Sequence, residues 1–95
     1  MNHESRPRAE VQSLVAHCQS ARAAGASPEQ IRAHILPEAI DSALSRLDAR
    51  EFLDWVKEER EHAYFYYDAQ QSGVCAKPRE AAALILEQIA MDAIE

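Results

Sequence analysis

Residues 48 to 71 read DAREFLDWVKEEREHAYFYYDAQQ, and this stretch holds all six aromatic side chains of a 95-residue chain. Nothing in it obliges a helix to stop. It has neither proline nor glycine, and Ala, Glu, Lys, Arg and Gln fill most places between the aromatics. Asp48, three residues ahead of Glu51, has the spacing of a capping box, and Ser72 and Gly73 supply an interruption at the far end. The stretch is therefore expected to form one long helix. At about 100° per residue, Phe52, Val56, Ala63 and Tyr67 fall together, flanked by Leu53, Trp55, Tyr64 and Tyr66, and this is the face expected to meet a core. On the far side Glu51, Asp54, Glu58, Glu61 and Asp68 share a sector about 100° wide, a continuous acidic stripe. Lys57 and Arg60 project outside the sector, and the five acids of the stripe outnumber the bases at i, i+4 spacing, Arg50 before Asp54 and Lys57 before Glu61.

Outward from this stretch, the punctuation is that of an all-helical chain: two glycines, eighteen alanines, and four prolines placed where helices begin. Pro7 opens a first helix with Val11, Leu14, Val15 and Cys18 on one stripe, and Gly25 ends it. Ser27, Pro28 and Gln30 form a capping box ahead of Ile31 and Ile35. Pro37 lacks a backbone N–H, so a break is expected at Leu36, with a new helix carrying Ile40, Ala43, Leu44 and Leu47 inward. Pro78 opens a last helix with Ala82, Ile85, Leu86, Ile89 and Ala93 on its inner face. The expected fold is all-α, one small domain over residues 1–95 built as a bundle or orthogonal array of four to five helices, with residues 1–6 a frayed arm.

The net charge of -6 arises entirely in the second half: residues 1 to 47 hold five acids and five bases, residues 48 to 95 eleven acids and five bases. Such acidity opposes direct binding to nucleic acid or to an anionic membrane, both of which draw on accumulated positive charge. No apolar run approaches the roughly 18 residues of a membrane span, and residues 1 to 10 have no apolar h-region, so a cytoplasmic protein is expected. Cys18 and Cys75 are too few for a disulfide framework or a zinc knuckle and read as packing residues.

Chemistry-bearing patterns are sparse. Glu59 and His62 spell one Glu-x-x-His unit, but a di-iron bundle needs two such units and two further inward glutamates, so neither metal nor cofactor is expected. On the single-helix wheel Glu59 lies toward the aromatic side, where a structural pairing with Arg22, Arg32, Arg46 or a tyrosine hydroxyl would satisfy it. His17 and Cys18 are neighbours whose side chains point about 100° apart, which does not make a thiol–imidazole pair. Residues 27 to 47 have the outline of a helix-turn-helix. Glu38, Asp41, Ser42, Ser45 and Arg46 nevertheless give its second helix no basic reading face.

The aromatic run Tyr64–Tyr67 covers most of a helix circumference, so one face cannot bury it. Phe65 falls in the acidic sector, and unless the last helix or the N-terminal arm covers it, it is an exposed aromatic anchor. The expected partner-binding set is therefore Glu51, Asp54, Glu58, Glu61, His62, Tyr64, Phe65 and Asp68. The expected function is non-enzymatic: a small acidic regulator or inhibitor that applies this helix to a basic protein surface. One form would place carboxylates where nucleic-acid phosphates sit, in the manner of an antitoxin, an immunity protein or an anti-defence inhibitor. A homo-oligomeric assembly protein, a homodimer in its simplest form, is the alternative, and a helical enzyme or metal protein using Glu59 and His62 stands below it.

Overall fold

A computed structural model describes residues 5–73 and 76–95; His3 and Cys75 lie outside the described residues. The first helix, α1, spans Arg6–Ala23, and Ser5 caps it, its hydroxyl accepting the Arg8 N–H at 3.2 Å. Ser5 and Arg6 thus belong to the helix start and not to a frayed arm. At the other end Gly25 takes φ 109°, and the N–H groups of Gly25 and Ala26 reach back to the carbonyls of Arg22 and Ala21, which is the Schellman closure. Ser27 then forms the expected capping box, with the Ser27 N–H to Gln30 Oε1 at 2.8 Å and the Gln30 N–H to Ser27 Oγ at 3.1 Å.

The break expected at Leu36 is replaced by something subtler. A short α2, Pro28–Gln30, runs directly into a π-helical turn, Ile31–Ile35, and on into α3, Leu36–Arg46. The Leu36 N–H bonds to the Ile31 carbonyl, one residue further back than in an α-helix. This wider turn absorbs the place where Pro37 has no N–H to give and its ring would crowd the preceding turn. The chain therefore keeps its helical course, and the helix-turn-helix outline is not formed. The stripe survives the change: Ile31, Leu36, Ile40, Ala43, Leu44 and Leu47 are all buried.

The long helix does not form as one piece. It divides into α4, Ala49–Glu58, and α5, Ala63–Gln71, because Glu59 turns to extended backbone (φ -85°, ψ 129°). Local propensity favours continuing, but burial overrides it. A straight helix would present Phe52, Val56 and Tyr67 to the core and leave Phe65 in water. The broken one packs Phe65 and Tyr66 on the core and buries Ala69, while Tyr67 is 51% exposed and Tyr64 72% exposed. Phe65 and Tyr67 therefore exchange the environments that the single wheel assigned them.

The last helix, α6, Pro78–Ile94, is the element the others surround: it packs against α1, α3, α4 and α5. Its buried residues go nearly all round the helix, adding Ala81, Ala90, Met91 and Ile94 to the expected Ala82, Ile85, Leu86 and Ile89, while Ala93 is half-buried. Counting the unbroken α2–π–α3 run as one, five helices make up an all-α array whose core joins residues of every one. A two-pronged ion pair ties α1 to α3, Arg46 Nε and Nη2 donating to Glu10 at 2.8 and 3.0 Å, and it holds the Glu10 carboxyl below its ordinary value. No helix among the described residues is long and apolar enough to cross a membrane.

The divided helix makes a stability prediction that a straight one does not. Phe52, fully buried, should cost about 3–5 kcal/mol when changed to alanine. Tyr67→Ala should cost less than about 1 kcal/mol, because more than half of that ring is already in water. Urea denaturation of both variants measures the contrast; comparable losses would restore Tyr67 to the core and the helix to one piece.

Candidate functional site

The joint between α4 and α5 is built on one carboxylate. Glu59 Oε1 accepts the Glu61 N–H at 2.7 Å, and Oε2 accepts both the His62 N–H at 3.2 Å and the His62 ring at Nδ1, 2.7 Å away. It serves the N-terminus of α5 as a capping side chain would, satisfying free N–H groups and placing negative charge at the positive end of the helix. Burial pushes the Glu59 carboxyl up, but the Glu61 N–H, the His62 ring and the His62 N–H outweigh it and hold the group below its ordinary value. The arginines considered as partners for Glu59 are engaged elsewhere: Arg22 with the Ala26 carbonyl, Arg32 with Glu87, Arg46 with Glu10. The structural pairing expected for Glu59 is thus made, but within four residues of the chain.

Among the described residues Glu59, Glu61 and His62 also bring one potential metal ligand each within 4.8 Å of one another. Three protein donors are what an open zinc site would use. In the geometry present, three N–H donors already occupy the Glu59 oxygens, so this group is a helix cap first.

Aromatic contact extends from the joint in both directions. The His62 ring stacks on Phe65 (centroids 6.4 Å, 28°) and lies 6.2 Å from Trp55; Tyr64 meets Phe65 edge-on at 5.7 Å. Beyond this ridge the surface opens into two grooves. One, about 450 Å³, lies between α1, the joint and α6, where Arg8 covers Trp55 at 5.7 Å and Gln12, Gln19, Glu61, His62 and Asp92 form the rest of the polar wall. Its charges are mixed. The other, about 430 Å³, lies between α5 and α6 and is lined by Tyr64, Phe65, Leu84 and Met91 together with Asp68, Glu87, Asp92 and Glu95. Its one base is Arg32, whose Nε is 3.4 Å from Glu87. Gln88 also lines it, and Gln88 Oε1 is buried without a hydrogen-bond partner among the described residues.

The eight residues singled out from sequence are distributed by this geometry. Tyr64, Phe65 and Asp68 line the α5–α6 groove, with Phe65 as half-buried wall and not as an exposed anchor. Glu61 and His62 belong to the other groove, His62 part-buried. Glu51, Asp54 and Glu58 are exposed on α4 and line neither groove, while Glu61 and Asp68 lie beyond the turn at Glu59, so the five acids do not share one helix. The wheel missed the contribution of α6. Leu84, Glu87, Gln88, Met91 and Glu95 recur at i, i+3, i+4, i+7 and i+11, a second face of that helix that is readable once its purely apolar face is set aside. Elsewhere His17 is exposed while Cys18 is buried, and burial pushes the Cys18 thiol up, as suits a packing residue.

Fold and groove together define a small all-α protein with an acidic, aromatic-walled cleft. Compared with known proteins, the chain matches no family model, no curated protein and no solved structure.

The cap at Glu59 should be visible in acid. Its folded carboxyl binds a proton less readily than the unfolded one, so it stabilises the fold fully above the unfolded value near 4.3 and ceases to as pH falls through the lower folded value. Glu59→Gln should lose about 1–3 kcal/mol at pH 7 and show a flatter decline than the wild type below about pH 5. Chemical denaturation at a series of pH values tests both; parallel acid limbs would remove Glu59 from the account of α5.

Proposed function

We propose that the chain is a non-catalytic binding module, a regulator or inhibitor that seats the α5–α6 groove and its rim against a basic surface on another protein. One observation carries the reading. Tyr64, 72% exposed, stands at a groove to which Asp68, Glu87, Asp92 and Glu95 contribute carboxylates and only Arg32 a base. An exposed aromatic beside uncompensated charge suits a cation by two routes, the ring face and the carboxylate, and aromatic anchors commonly dominate protein interfaces. Glu51, Asp54 and Glu58 on α4 extend the negative surface and would steer a basic partner toward it. An inhibitor that displaces nucleic acid from a basic protein would work in this way, its carboxylates standing where phosphates would. The joint supports a binding role over a catalytic one, since the enclosed carboxylate and imidazole of Glu59 and His62 are engaged in holding α5.

A labelled peptide of alternating lysine and arginine tests this by fluorescence anisotropy. Tyr64→Ala should weaken it about threefold to tenfold, and Asp68→Lys with Glu95→Lys about tenfold or more, with melting temperature unchanged within a few degrees. Raising salt from about 0.05 to 0.5 M should weaken the wild-type complex as the field is screened. Affinity indifferent to these changes would sink the reading. A concentration-dependent dimer in sedimentation, dispersed by Tyr64→Ala, would put self-association in its place.

A further inference from the structure

Resting on that reading, we infer that the α5–α6 groove is selective for a guanidinium over an ammonium group, and that Arg32 occupies part of that site as an internal stand-in for the partner's arginine. The protein's own chain already places a guanidinium there. Arg32 reaches from the π-helical turn to Glu87 of α6, and both residues line the groove. A guanidinium is therefore already accommodated at its edge, in a loose contact: 3.4 Å is long for a charge-assisted bond, and the Arg32 side chain is 58% exposed. Such a contact yields readily to a competitor.

The shape of the donor-accepting surface favours a guanidinium as well. The mouth of the groove has the Tyr64 ring, edge-on against Phe65 at 70°, with Asp68 on the same helix and Glu87 across on α6. A planar guanidinium can lie on an aromatic face and still direct N–H groups sideways to carboxylates, whereas an ammonium is a compact point charge with strong hydration to shed. Gln88 lines the groove as well, and its Oε1 is a buried acceptor without a partner among the described residues. A guanidinium has five N–H groups in a fixed fork, enough to serve carboxylates on both sides of the groove at once. Lysine has three donors on a single atom and cannot spread them across the groove in the same way.

The test compares labelled octa-arginine and octa-lysine peptides of equal charge at equal ionic strength. Wild-type protein should bind octa-arginine roughly threefold more tightly or better, the increment expected of one stacked cation. Arg32→Ala should tighten octa-arginine binding by up to about fivefold, and by more than Arg79→Ala, which removes the same charge from a pair with Asp41 outside the groove. Equal affinity for the two peptides would overturn guanidinium selectivity while leaving the basic-partner reading standing. Equal gains from Arg32→Ala and Arg79→Ala would overturn the stand-in role, reducing it to general charge. Binding of neither peptide would overturn the basic-partner reading itself, and this inference with it.

Discussion

Three hydrogen bonds to the carboxylate of Glu59 decide where the surface chemistry of this chain ends up. Residues 58 to 61 are Glu, Glu, Arg and Glu, all competent helix formers, but in a continuous helix three of them would crowd carboxylates along one segment where only Lys57, four residues before Glu61, stands at relieving spacing. Leaving the helix at Glu59 turns that liability around: the charge that would sit at the negative end of α4 faces the positive end of α5. The turn also resets the rotational phase of everything after it. Phe65 is carried onto the core and Tyr64 out into solvent, and the α5–α6 groove exists because of that rotation.

What receives the rotated helix is α6. With alanines at 81, 82, 83 and 90, this helix lets neighbouring backbones approach closely, and with Ile85, Leu86, Ile89 and Met91 it fills the space between them. Because α1, α3, α4 and α5 all pack on it, nearly every face is committed. The exceptions are instructive. Glu87 and Gln88 sit at the margin between buried and exposed, where α5 does not fully cover them, and Arg32 from the π-helical turn comes to meet Glu87 there. A groove with an aromatic side and a carboxylate side follows from packing a helix rich in tyrosine beside a helix whose last turns carry Glu87, Asp92 and Glu95.

Much of this could be read from residue patterns, and the failures share a cause. Ser27, Gln30, Gly25 and Asp48 act through bonds spanning three to five residues, so their local spacing was sufficient. The apolar stripes of α1 and α3 survived even the π-helical turn, since burial of Leu36 and Ile40 constrains the helix more strongly than Pro37 disrupts it. The divided helix was illegible because the signal lay in a glutamate, a residue that ordinarily continues a helix and rarely caps one from its own C-terminal end. One wheel drawn through that turn misassigned Tyr64, Phe65 and Tyr67 beyond it. The five acids of the stripe are divided by the turn for the same reason, although each is exposed as expected.

The same geometry explains why acids and aromatics can coexist on so small a chain without the aromatics simply collapsing inward. A continuous helix could bury at most one side of the run Tyr64–Tyr67. The broken helix buries Ala69, sets Phe65 and Tyr66 half into the core, and leaves the two tyrosines best able to stand in water, each with a hydroxyl to hydrate and one ring edge-on against a neighbour. Exposed phenylalanine in those places would be a patch that drives indiscriminate association; exposed tyrosine beside Asp68 is tolerable in water and still offers a ring face. In the proposed binding role, charge would do the selecting, the carboxylates around the groove disfavouring acidic surfaces and favouring a basic one at the aromatic face.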